Sequence, residues 1–97
     1  MKTNAYPPSK LEALKEIFQS YLDHDLHDMK LLAEWCQGPY EVQRAFKQQL
    51  LACIHQPGLL PAETYEQWTN LGVEDQDDLQ RELKSIWNTC YPGEKIS

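Results

Sequence analysis

The chain has 97 residues, 41% of them hydrophobic and 25% charged, and fifteen acids outnumber nine bases for a net charge of −6. That length supports one domain with one modest core, burying roughly 60–65% of the surface the unfolded chain exposes, and it excludes a two-domain enzyme. The hydrophobic content excludes a chain disordered by composition, and the acidic balance argues against direct nucleic-acid binding, because it repels phosphate backbones.

Residues 1–8 read as an extended N-terminal segment, since Pro7-Pro8 disfavour helix in the residues before them. No stretch has the apolar run of a signal peptide or a membrane span, so the expected location is the cytoplasm. A first helix is predicted over residues 9–24, with Leu11, Leu14, Phe18, Tyr21 and Leu22 on one face. Ser9 and Glu12 have capping-box spacing at its start. A second helix is predicted over residues 25–36, with Leu26, Met29, Leu32, Ala33 and Cys36 on its stripe and Trp35 beside it. Asp25 is its expected cap, and Gly38-Pro39 ends it. The third runs over residues 39–56, with Val42, Ala45, Phe46, Gln49, Leu50, Cys53 and Ile54 inward, and Gln56-Pro57-Gly58 stops it. A short fourth helix spans residues 61–71, with Tyr65, Trp68 and Leu71 inward and Gly72 expected in the left-handed conformation of a Schellman ending. The fifth starts near Asp75 and buries Leu79, Leu83, Ile86, Trp87 and Cys90; Tyr91-Pro92-Gly93 ends it, leaving residues 92–97 as a C-terminal tail. No segment alternates with period two. The expected fold is therefore an all-α, single-domain bundle of about five short antiparallel helices.

Cys36, Cys53 and Cys90 form no CxxC pair, and each falls on an apolar helical stripe. They read as buried, reduced thiols rather than a disulfide or a metal site. The densest polar cluster is residues 23–28, where Asp23, Asp25 and Asp28 alternate with His24 and His27. It reads first as a polar corner between two helices, and second as a protein-contact surface. A metal site built on His24, His27 and carboxylates, with a metal-dependent enzyme around it, is a third reading, although the spacing is not HExxH. Catalysis otherwise has no support: there is no GxSxG, no glycine-rich phosphate loop and no kinase motif, and Cys53 and His55 lie two apart, which does not bring them face to face on a helix. No cofactor is called for.

A second acidic run, Glu74, Asp75, Asp77 and Asp78 with Glu82 one turn later, suits the positive N-terminus of the fifth helix. It also suits docking to a basic partner, where charge sets the on-rate and a few buried anchors set the off-rate. Carboxylates fixed on helices are able to occupy the positions of substrate phosphates in a nuclease cleft. Trp35 and Tyr40, at stripe edges, are the candidate aromatic anchors.

The segment Tyr21-Leu22-Asp23-His24-Asp25-Leu26, closing the first helix, resembles the Tyr-Phe-His-Gln-Asp-Trp signature of small immunity proteins from bacterial contact-dependent growth inhibition systems. Tyr21 and Asp25 match it. Asp23, His24 and Leu26 stand where that family has histidine, glutamine and tryptophan. The order of helices from about Leu11 to Tyr91 is similar too. The resemblance implies an all-helical, non-enzymatic immunity protein that binds a cognate toxin C-terminal domain, a basic nuclease being the expected kind, and neutralises it by covering its active site or blocking its approach to substrate. It implies a fold role for Tyr21 and Asp25, and does not locate the interface. Contact candidates are Asp23, Asp25, Asp28, Trp35, Glu74, Asp75, Asp77, Asp78 and Glu82. A small acidic helical adaptor or regulator of another bacterial protein is the alternative, and both a monomer and a homodimer fit the sequence.

Overall fold

A computed structural model describes residues 11–22 and 28–96 of the chain. They form five helices and no strand: α1 (Glu12–Tyr21), α2 (Met29–Trp35), α3 (Glu41–His55), α4 (Ala62–Thr69) and α5 (Gln76–Cys90). The architecture is the expected all-α single-domain bundle. α3 packs against α1 and α5, α2 against α5, and α4 against α1 and α5. Among the described residues, no helix is long and apolar enough to cross a membrane.

The stripes meet in one core. Phe18 on α1 sits edge-on to Phe46 of α3 (5.9 Å between ring centroids) and to Tyr65 of α4 (5.8 Å). Phe46 in turn meets Trp35 of α2 edge-on at 5.5 Å, and Trp35 lies against Tyr21. This chain of rings crosses four helices, and edge-to-face pairs contribute about 0.5–1.5 kcal/mol each beyond their buried area. Leu14, Leu32, Leu50, Leu79 and Leu83 fill the space around it with no exposed surface.

Glutamines join the helix ends. The first four N–H groups and last four C=O groups of a helix lack partners within it. Gln49, fully buried on α3, accepts from the Leu14 N–H in the first turn of α1 at 2.9 Å. Gln80 donates to the Cys53 and Ile54 carbonyls at the end of α3. Gln76 accepts from the first N–H of α4, at Ala62, and donates to the Leu60 carbonyl and to Gln80. Gln43 donates to the Trp35 carbonyl and accepts from the Tyr40 N–H. Gly38 lies so close to the Gln43 amide that a Cβ there would push it out of these two bonds.

Helix bounds depart from expectation in three places. α1 is capped by Leu11, in a left-handed conformation at φ 53° and with no side-chain hydrogen bond, instead of by Ser9, which lies outside the described residues. α2 starts four residues later than expected, because the Asp28 carboxylate accepts from the Leu31 N–H at 3.0 Å and so caps it; Asp25, the expected cap, lies outside the described residues. α4 ends at Thr69, and Asn70 rather than Gly72 takes the left-handed position at φ 59°. The cause is local. The Thr69 hydroxyl accepts from the Leu71 N–H and the Glu66 carboxylate from the Val73 N–H, so side chains take the bonds that another helical turn would have used.

Candidate functional site

The acidic run gathers where the loop after α4 enters α5. Asp75 is the N-cap: its Oδ1 accepts from the Asp78 N–H at 2.8 Å. Asp78 reaches back, its Oδ2 accepting from the Glu74 N–H at 2.9 Å and its Oδ1 lying 3.4 Å from Arg81. These are local structural tasks, and they favour acids at the positive helix end. Glu74, Asp75 and Asp77 are exposed; Asp78 and Glu82 are half-buried.

Asp78 and Glu82 line one side of a cavity of about 210 Å³, with Tyr65, Leu71, Gly72 and Val73 forming the rest. Burial first, and the Glu82 carboxylate second, raise the Tyr65 phenol above its ordinary value, so it stays neutral. The cavity thus offers apolar walls beside two carboxylates. That combination suits a long cationic side chain, whose methylene stem packs while its charged head meets the carboxylates.

Other sequence candidates lie elsewhere. Asp23 and Asp25, together with His24 and His27, fall outside the described residues. Asp28 is exposed and spends its carboxylate on capping α2. Trp35 is half-buried between Tyr21 and Phe46, so its ring belongs to the edge of the core. Tyr40 is 71% exposed, and Leu31 is 51% exposed; these are the large apolar side chains the surface shows among the described residues. Leu31 was not singled out from sequence, and its place between Lys30 and the buried Leu32 gave no signal beyond an apolar residue off the stripe. Among the described residues no group of three His, Cys, Asp or Glu side chains is placed to hold a metal ion.

Cys36, Cys53 and Cys90 are all buried and free. Cys36 closes α2 and Cys90 ends α5, two helices that pack together, with the Gln37 Nε2 donating to the Cys90 carbonyl at 2.7 Å.

In comparison with known proteins, the chain matches no family model, no curated protein and no solved structure.

Proposed function

We propose that this chain is an immunity protein that binds a cognate toxin domain, of basic character and most simply a nuclease, and neutralises it one-to-one. The observation that carries the reading is the acidic end of α5. There, exposed Glu74, Asp75 and Asp77 stand in the same acidic run as Asp78 and Glu82, whose side chains line a cavity, on a chain whose net charge is −6. An Arg or Lys side chain of the toxin fills the cavity, and the exposed acids steer its approach. The likeness of Tyr21-Leu22-Asp23-His24-Asp25-Leu26 to the immunity-protein signature supplies the toxin as the kind of partner.

The reading is tested by co-expressing the tagged chain with the product of the gene directly upstream, and by asking whether the chain rescues growth of cells producing that product's C-terminal domain. A one-to-one complex with rescue is expected. A chain that purifies alone and gives no protection returns the protein to the class of small adaptors.

A further inference from the structure

The segment after α5, read from sequence as a tail, folds back on the bundle. Gly93, at φ 88°, reverses the chain, and the Glu94 N–H closes the turn onto the Tyr91 carbonyl oxygen at 3.1 Å. Glu94 then holds the bundle twice. Its backbone carbonyl oxygen accepts from the Trp87 indole N–H at 3.1 Å, and its carboxylate Oε1 meets the Lys47 Nζ of α3 at 2.7 Å. Lys47 is itself held in place by two rings. Its Nζ lies 4.9 Å from the centroid of Tyr91 and 5.9 Å from that of Trp87. Two residues on, Ile96 is half-buried against the core. Residues 92–96 thus pass the N–H edge of Trp87, a side chain only 2% exposed.

These holds are weak ones. Residues 92–95 are exposed, and the Lys47–Glu94 pair is about half open to water, where an ion pair contributes little. A Cβ built on Gly93 would meet nothing within 4 Å, so the turn has room to move. Exposed backbone with few apolar contacts is where a fold opens locally. The position of Glu94 also sets a local charge. It lines a cavity of about 180 Å³ with Arg44, Lys47 and Tyr91, and among the described lining residues it is the one acid beside two cations.

We propose that residues 92–96 are a latched strap, which swings open at Gly93 while the five helices stay folded, with the Glu94 carboxylate on Lys47 as the latch. Closed, the strap covers the Trp87 N–H and sets Glu94 against the cations of the cavity. Open, it gives the Trp87 N–H to water and leaves Arg44 and Lys47 in the cavity wall without their acid. One hinge therefore switches both the access of water to Trp87 and the charge of the cavity beside it.

The test is hydrogen exchange followed by NMR on the whole chain, in urea concentrations below its unfolding transition. The Trp87 indole N–H is expected to exchange almost independently of urea. It is also expected to be protected about tenfold less, or weaker still, than the Leu50 and Leu83 amides inside α3 and α5, whose exchange climbs with urea. The Tyr91 N–H, bonded to the Trp87 carbonyl oxygen at 2.7 Å, ends α5 before the hinge and is expected to stay better protected than the indole. Glu94→Gln keeps the backbone carbonyl on Trp87 and removes only the charge on Lys47. It is expected to speed exchange of the indole about two- to fivefold at low salt, and by less at high salt. A Trp87 N–H with the urea slope of Leu50 opens only when the whole molecule unfolds, and that overturns the proposal. A Tyr91 N–H as weakly protected as the indole places the motion in fraying of α5 and overturns it as well. An indole rate in Glu94→Gln equal to wild type overturns the latch.

Discussion

Gln49 carries more of this fold than its residue type suggests. α1 begins at a leucine with no capping side chain, and the N–H of Leu14 in its first turn is satisfied from another helix, by the Gln49 side chain thirty-five positions away. Replacing it with leucine keeps the volume and strands a buried donor. Gln49→Leu is expected to destabilise the protein by about 1–3 kcal/mol, read as a lowered urea midpoint with an unchanged m-value. A midpoint equal to wild type would show that α1 does not need this bond. Periodicity placed Gln49 on the buried stripe, because a face is legible from spacing. Its partner was not legible, because a hydrogen bond across thirty-five residues leaves no local pattern. The same holds for buried Gln43 and Gln80, which the apolar stripes did not include. The bond from Gln37 to the Cys90 carbonyl was hidden for the same reason.

At the scale of elements, all five helices and most of their inward faces were readable, while their ends were less so. Side chains that compete for backbone N–H groups decided the ends. Asp28 set the start of α2, and Thr69 with Glu66 stopped α4 short of Gly72. The acidic run before α5 combines such a cap with surplus charge, and the two are separable. Asp75 accepts from the Asp78 N–H, and Asp78 from the Glu74 N–H, whereas Asp77 points out from the first turn with no part in the cap. Asp75→Ala is therefore expected to cost about 1 kcal/mol of stability. Asp77→Lys, by contrast, is expected to slow association with the toxin domain and flatten its salt dependence, with stability changed by less than about 0.5 kcal/mol. Stopped-flow association and urea unfolding on the same two variants separate the roles. Unchanged association for Asp77→Lys at low salt would remove this end of α5 from the interface. The acidic segment at residues 23–28 would then be the one to test.

At the scale of the whole molecule, the core holds several groups that must stay protonated. Burial pushes the Cys53 thiol from 9.0 up to about 12. It also raises the phenols of Tyr65 and Tyr91, with the Glu82 carboxylate adding to the first and Cys36 to the second. Once unfolded, these groups ionise at their ordinary values, so above about pH 9 the unfolded chain holds fewer protons than the native one. Stability is then lost as pH rises. The urea midpoint is expected to be level from neutral pH to about 8.5 and to fall steadily between 9.0 and 12, and Cys53→Ala is expected to reduce the slope of that fall. A level profile through that window would mean that these side chains are wetter than the fold places them.

The same molecule, small, acidic and held by buried glutamines, is read here as a stoichiometric inhibitor, and that reading is tested most directly by titration. The C-terminal domain of the upstream gene product is assayed at fixed concentration, well above the dissociation constant, against increasing amounts of this chain. A linear loss of toxin activity that reaches zero at one equivalent is expected. Activity undiminished by excess chain would contradict it.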